Sequence, residues 1–411
     1  MGSEREFDLV LLGATGFTGR LVARYLSGRH GAGGRLRWAL AGRDERKLER
    51  IRGELGEEGA GLPLIVADSH DRGSLDAMVS RSRAVCSTVG PYALYGSELV
   101  AACAAGGTDY CDLSGEVPWM RRMLDAHAED AARTGARIVH CCGFDSIPSD
   151  LGVWFLQKQA RERFGAPLER IRMRVRAMRG GLSGGTAASM LNIIEESRRD
   201  PEVAGILKNP FALCPPEARK GVRQPYVSGP AYDPEFSAWT APFIMAAINT
   251  RVVHRSNALL AHAYGRNFRY DEAMLTGRGL RGRVRAVTLS AGMGAFALGA
   301  SLAFTRPVVR RLILPEPGEG PPAEKREAGF FKLEFMGRTA SGQCLGARVT
   351  GDRDPGYGST SKMLGEAAVA LATLGRDHPP GGFWTPASLL GENLLDRLRQ
   401  HAGLTFELRN L

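Results

Sequence analysis

The stretch FDLVLLGATGFTGRLVARYL (residues 7–26) runs an apolar segment into a helical pattern through three glycines, Gly13, Gly16 and Gly19. Residues 9–12 read as a buried strand, and Leu21, Val22, Tyr25 and Leu26 recur at the spacing of one helix face. A strand, a tight glycine turn and a helix in that order let the backbone approach a pyrophosphate, which the helix N-terminus then holds. Gly13, Thr15, Gly16, Phe17, Thr18 and Gly19 are therefore candidate cofactor residues, their backbone amides and hydroxyls able to face phosphate. A glycine turn that merely packs would show the same spacing, so the reading depends on the strands and helices further along the chain.

The residues after the first helix repeat the alternation. RLRWALAGR (35–43), LPLIVAD (62–68), AVCSTVG (84–90), TDYCDLSG (108–115) and ARIVHCCGFD (136–145) read as further strands, with helical patterns at 45–55, 74–80, 97–105 and 119–134. Such βαβ order predicts an α/β fold, a Rossmann-type doubly wound parallel sheet that binds ligands at the carboxyl ends of its strands. After residue 150 the texture changes. IRMRVRAMRG (171–180) alternates apolar and basic residues as a half-exposed antiparallel strand does, and FFKLEFMGR (330–338) pairs with QCLGARVTG (343–351) across TASG. The expected organisation is a dinucleotide-binding domain at 1–150, a mixed substrate or dimerisation domain at 151–375, and a segment at 376–411 that packs back on the first domain. Residues 201–242 and 314–328, rich in proline and turn formers, read as excursions.

Composition bounds the function. The chain has 411 residues, 44% of them hydrophobic, enough for two or three domains with sizeable cores. The net charge of +10 is spread along the chain with no block of like charges, which points to a solvated basic surface before an anionic substrate or membrane, and argues against nucleic acid. Seven cysteines form an odd set without a C-x-x-C pair, and no N-terminal signal peptide is evident; reduced thiols in a cytoplasmic protein are expected, and no metal site. AVTLSAGMGAFALGASLAFT (286–305) is uncharged and bracketed by Arg281, Arg283, Arg285, Arg306, Arg310 and Arg311. Three readings stand open for it: a buried or surface-apolar helix, a lipid-contacting helix at a membrane interface, and a membrane span.

The strand ends carry the chemistry. After the second strand stand Gly42 and Arg43, then Arg46 and Lys47, where an acidic residue would otherwise receive a ribose 2′-hydroxyl. A guanidinium there suits a 2′-phosphate and favours NADP(H). Asp44 reads as the cap of the next helix. Asp68 either faces the adenine edge or closes a turn with Ser69. Val89, Gly90 and Pro91 lie where the nicotinamide half of a dinucleotide sits, with Tyr92 and Tyr95 in the loop after them. Asp112, Glu116, His140, Asp145 and Asp150 end the later strands, and a proton donor belongs among these groups. Bland alternatives stand beside several: a packing ring for Tyr95, a core histidine for His140, a helix cap for Asp150. In the second half, GGLSGGTAASM (180–190) offers small residues and hydroxyls for close approach of a ligand, and DPGYGSTSKM (354–363) offers Tyr357 and Lys362.

GATGFTG, the following AGR, VGPYALYGSELVAACAAGGTDYCDLSGE and HCCGFDSIPSDLG together resemble the saccharopine dehydrogenase-like oxidoreductases. The later GGLSGGTAASM, WTAPFIMAAINTRVVHRSNALLAHAYG and DPGYGSTSKMLGEAA extend the likeness, over nearly the whole chain, to their actinobacterial branch of trans-acting enoyl reductases. The resemblance implies a Rossmann domain with an inserted α/β domain, a homodimer, NADPH as reductant, and a C=C bond of a lipid or polyketide chain, carrier-bound, as substrate. It also implies action in trans beside a polyketide synthase. By motif, the residues bordering the substrate carry over to Tyr92 and Asp145. The segment at 143–148 departs from the saccharopine reductase pattern, and no arginine set suits an amino-acid dicarboxylate. A saccharopine-type amino-acid or imine dehydrogenase and a non-catalytic NADP(H)-binding regulator are the competing readings.

Overall fold

The computed structural model describes residues 5–180, 184–302, 320–375 and 379–409. It divides into two compact units: Met1–Asp145, Glu316–Ala323 and Gly356–Ala402 form the first, and Ser146–Pro315, Glu324–Pro355 and Gly403–Leu411 the second.

The first unit is built on a parallel sheet of β1 (Phe7–Leu12), β2 (Trp38–Gly42), β3 (Leu64–Val66), β4 (Ser82–Ser87), β5 (Asp109–Asp112), β6 (Arg137–Val139) and β13 (Gly382–Trp384), in the order β13-β6-β5-β4-β1-β2-β3. β1 pairs with β2 from Leu9↔Trp38 to Leu12↔Ala41, and with β4 from Phe7↔Ser82 to Leu12↔Ser87. Leu9, Val10 and Leu11 are all fully buried, which explains why this strand reads as an unbroken apolar run: both faces of the sheet are covered. The helices are α1 (Phe17–His30), α2 (Glu45–Glu54), α3 (Arg72–Ser80), the single turn α4 (Tyr92–Tyr95), α5 (Ser97–Gly106), α6 (Val117–Thr134), α13 (Gly358–Thr373) and α14 (Gly391–His401). Asp44 and Asp71 cap α2 and α3 by accepting the N–H groups of Lys47 and Gly73.

The division falls close to the boundary expected at 150 and departs from the one expected at 375. α13, assigned by sequence to the second domain, lies along β1, β4 and β5 of the first unit. It is buried on nearly every side from Ser359 to Ala372, its Glu366 carboxylate paired with Arg29 and Arg397. The strand expected over 136–145 stops at Val139, since Cys141 has φ 64° and the Cys142 N–H turns to the carbonyl of Asp112. β13 has no counterpart among the strands expected from sequence.

The second unit carries a mixed sheet ordered β14-β12-β11-β7-β10-β9-β8, from β7 (Leu168–Arg179), β8 (Ala231–Asp233), β9 (Ala238–Pro242), β10 (Arg269–Gly277), β11 (Phe330–Thr339), β12 (Cys344–Gly351) and β14 (Leu404–Arg409). β7 is antiparallel to β11, as its alternation predicts, but parallel to β10. Ile171, Met173 and Val175 face the core, while Arg172 and Arg174 on the other face meet Asp233 at 3.0 and 2.8 Å. β11 and β12 form the expected hairpin, Arg338 opposite Cys344. α7 (Ile147–Phe164) and α10 (Ala246–Leu259) cover the apolar face, and α8 (Gly184–Arg199), α9 (Pro201–Lys208), α11 (Gly279–Ser301) and α12 (Ala323–Glu327) complete the unit. β14 pairs antiparallel with β12, so the last strand serves this sheet and not the first unit. α11 decides within one reading of the uncharged segment: Gly282, Ala286 and Ala300 are its only buried residues, so it is a surface apolar helix and not a core one. Residues 303–305 of that segment, with Arg306, Arg310 and Arg311, lie outside the described residues, as do 181–183 of GGLSGGTAASM.

In the first unit a buried ion pair joins neighbouring strands: the Asp109 carboxylate accepts the Arg137 backbone N–H at 2.9 Å and its Nε–H at 3.1 Å, and Arg137 Nη1 donates to Gly375 O at 2.7 Å. Asp109→Ala, which leaves the guanidinium buried without its carboxylate, is expected to destabilise the protein by about 3–5 kcal/mol, read as a lowered urea midpoint. An unchanged midpoint would contradict it.

Candidate active site at the carboxyl ends of the parallel sheet

Strand order reverses on either side of β1, and in such sheets a ligand crevice opens at that point beyond the strand ends. Gly13 leaves β1 with φ 89° and donates its N–H to Ala41 O at 3.0 Å. A β-carbon there would meet Thr88 Oγ1 at 2.7 Å and Val89 Cγ2 at 2.8 Å. A β-carbon at Gly19 would overlap the carbonyl oxygen of Gly13, so this helix can approach the strand end only without a side chain. Thr88 Oγ1 donates to the carbonyls of Leu12 and Gly13, tying the end of β4 to the turn. α1 starts at Gly16 with no side-chain cap and no acidic residue in its first turn, which leaves the positive end of its dipole uncompensated for an anion. The glycine turn and the uncapped helix start thus leave space and positive charge suited to a pyrophosphate.

The cofactor candidates beyond the turn fall on adjacent strand ends. Arg43, directly after β2, is exposed and makes no ion pair among the described residues, while Asp44 is taken up as the α2 cap. Asp68, after β3, accepts the His70 N–H at 2.9 Å, and Ser74 Oγ accepts the Asp68 N–H at 3.0 Å, so the turn-closing reading of Asp68 describes what its carboxylate does here. Val89, Gly90 and Pro91 follow β4, the first and last half-buried and the glycine exposed. The Phe17 ring meets Tyr357 edge-on at 4.8 Å, and Thr360 Oγ1 accepts the Phe144 N–H at 3.0 Å. The start of α13 therefore touches both the glycine turn and the turn after β6.

The catalytic candidates differ in what they can do. Tyr92 is buried, stacked on Trp119 at 5.5 Å, and its hydroxyl donates to Ser87 O at 3.0 Å while accepting the Leu113 N–H at 3.1 Å. Burial, and secondarily the Asp112 charge, push its pKa well above the usual value. This tyrosine braces the ends of β4 and β5, and a role as proton donor would cost the bond to Ser87 O. Tyr95 is half-buried, its ring edge-on to His70 with 5.3 Å between ring centres. Glu116 is buried and accepts the N–H groups of Tyr92 and Ala93 at 2.7 and 2.9 Å, capping α4. Asp112 accepts from Tyr110 Oη at 2.9 Å, from the Ser114 N–H at 2.9 Å, and pairs with His140 Nδ1 at 2.7 Å. The His140 ring is walled by Trp119, Tyr110 and Phe383, which supports its reading as a core histidine. Asp145 is half-buried beside Gly115 and Gly143. Desolvation raises its pKa to about 7 against its own backbone N–H, and the Asp112 charge adds to the rise. Among the carboxyl candidates from sequence, Asp145 is the one whose surroundings push it toward the protonated form, through loss of water and the nearby Asp112 charge. Asp150 belongs to the second unit, where its carboxylate accepts from Ser256 Oγ at 2.5 Å.

Residues 9–139 match the family model of the saccharopine dehydrogenase NADP-binding domain. A Mycobacterium tuberculosis protein provisionally named a trans-acting enoyl reductase is 45% identical over 418 residues, covering 99% of this chain and 98% of its own length. A trans-acting enoyl reductase of Mycobacterium bovis is 39% identical over 408 residues, covering 96% of each chain. Among solved structures, the glutamate-forming saccharopine dehydrogenase of Saccharomyces cerevisiae superposes with a TM-score of 0.55 at 13% identity, over 98% of this chain and 99% of that one, which shows a shared fold.

The glycine geometry makes a paired prediction. Gly19→Ala should destabilise the protein by about 1–3 kcal/mol, because backbone must move. Gly16→Ala, whose β-carbon would stand 3.4 Å from the same carbonyl oxygen, should cost clearly less. Equal shifts in thermal unfolding would show that the approach of α1 to β1 is not fixed at Gly19.

Proposed function

Because this chain belongs to the saccharopine dehydrogenase-like oxidoreductases, in the branch of the trans-acting enoyl reductases, we propose that it uses NADPH to reduce a C=C bond of a lipid or polyketide intermediate. The observation that carries the reading is kinship along the full chain to proteins of that name, joined to a glycine cradle with an exposed arginine on the neighbouring strand end. In this reading the turn from Gly13 to Gly19 and the start of α1 hold the pyrophosphate, and Arg43 takes the 2′-phosphate bidentately. Asp68 stands at the adenosine side, and Val89, Gly90 and Pro91 line the nicotinamide side. The bound NADPH supplies hydride to the β-carbon of an activated double bond.

The protein supplies position and a proton. Glu116 fixes the turn Tyr92–Tyr95 through two N–H bonds, and Tyr92 locks the ends of β4 and β5 together, so the loop that would border the substrate is held by buried groups. Asp145, protonated below about pH 7, is the donor for the α-carbon. The trans-acting designation of the relatives supports a separate polyketide synthase as partner; in this reading the substrate is a carrier-bound acyl chain, met in the cytoplasm by a homodimer.

NADPH consumption against enoyl thioesters of increasing chain length tests the activity; binding of NADPH with no consumption on any of them would move the protein to the regulators. Arg43→Ala should weaken NADPH binding by roughly 10- to 100-fold, as expected for a lost charge-assisted pair, and NADH binding far less; equal losses would contradict the 2′-phosphate role. With Asp145 as donor, kcat should fall as pH rises through about 7, because the acid form is then lost. Asp145→Asn should remove most of the rate and flatten that limb; an unaltered profile would assign the proton elsewhere.

A further inference from the structure

α11 is anomalous for a helix that packs on a sheet. It lies against β9 and β10, held by small residues: Gly282 and Ala286 are buried, and Thr276 Oγ1 donates to the Gly282 carbonyl at 2.9 Å. Several of its larger apolar side chains are exposed instead. Of the nine exposed large apolar side chains among the described residues, five stand on this helix: Leu280 (75% exposed), Val284 (56%), Val287 (48%), Leu289 (43%) and Leu298 (61%). Leu280, Val284, Val287 and Leu298, with Ala291 between them, recur at the spacing of one helix face. A contiguous exposed stripe of this kind marks a surface that something else covers.

The charges around the stripe say what covers it. Arg278, Arg281, Arg283 and Arg285 are all exposed at the start of the helix, none is ion-paired to a described carboxylate, and α11 contains no acidic residue. Arg283 lies over the Trp239 ring at 5.4 Å, and Trp239 meets the exposed Tyr232 edge-on at 5.8 Å. Leucine and valine on the outer face, arginines at one end and an aromatic pair alongside match a helix that lies in the plane of a membrane interface. The helix is long and apolar enough to cross a bilayer, but its seat on β9 and β10 would have to be given up for it to do so. A second copy fits less well. Two such helices side by side offer roughly 340 Å² a side, from a length of ~34 Å and a width of ~10 Å, against the ~800 Å² of a standard interface. A second copy would also bring no acidic residue of this helix to the arginines.

We propose that α11, with its arginines and the Trp239–Tyr232 pair, is a peripheral docking surface for an anionic lipid bilayer, its apolar stripe lying among the head groups and outer acyl carbons. The surface belongs to the second unit alone and stands whether or not the reductase reading holds. The test is sedimentation of the full-length protein with vesicles of phosphatidylcholine alone and of phosphatidylcholine with equimolar phosphatidylglycerol. The anionic vesicles should carry the protein down and the neutral ones much less, with binding falling as salt rises. Arg281→Gln with Arg285→Gln should weaken the partition by roughly fivefold per arginine, and Leu280→Ser with Val284→Ser and Leu298→Ser by roughly tenfold or more. All five positions are exposed, so the thermal unfolding curve and the circular dichroism spectrum should be unchanged in both variants, which reports that the fold is intact. Equal sedimentation with both vesicle types, or no loss in either variant, would overturn the proposal. So would a doubled mass in light scattering that the serine variant alone returns to a monomer, which would make the stripe a contact between copies.

Discussion

The carbonyl oxygen of Gly13 occupies the space that a side chain on residue 19 would need, and the first unit is organised by that approach. With α1 pressed against the end of β1, the first helical turn points back at the crevice where strand order reverses. Thr88 closes the other side by bonding two carbonyls of the turn. The three glycines thus do different work: Gly13 turns the chain at positive φ beside Thr88 and Val89, Gly16 begins the helix, and Gly19 permits contact. A protein could keep the strand and helix without this closeness, but the helix dipole would then sit too far from an anion in the crevice to matter.

A second layer of constraint holds the opposite rim. Tyr92, Glu116 and Asp112 are buried polar groups at the ends of β4 and β5 whose hydrogen bonds run mainly to backbone and to one another. Such groups cost free energy unless satisfied, and once satisfied they admit few alternative arrangements. The Asp112 carboxylate also reaches beyond its own bonds: its charge contributes to the raised pKa of Asp145. Rigidity and acidity at the rim therefore share one residue.

Much of this was legible because it is local. Periodicity over a few residues reveals β1, α1 and the hairpin of β11 and β12, and capping chemistry identifies Asp44 without any tertiary knowledge. What was hidden depends on partners distant in sequence. α13 has no strongly polar face, and such a pattern does not say which sheet buries it. The pairing of Asp112 with His140 follows from β5 lying beside β6, and the double use of the Tyr92 hydroxyl from the path of the chain at Leu113. The texture of β7 announces one antiparallel neighbour but not the parallel one on its other side. In the uncharged segment composition was known while burial was not, and burial alone separates a core helix from an exposed one.

The units interleave along the chain, and this governs how the polypeptide can be assembled. The first unit borrows α13, β13 and α14 from residues 356–402, and the second takes its edge strand from residues that come after them. During synthesis the glycine turn is made almost at once, yet α13, which covers β1, β4 and β5, arrives more than three hundred residues later. Contacts of such long separation close slowly, and apolar sheet surface stays uncovered meanwhile. An emerging chain of this design has to be shielded from aggregation until nearly all of it is available, and a fragment cut at residue 150 would present a nucleotide turn on a sheet that lacks its cover.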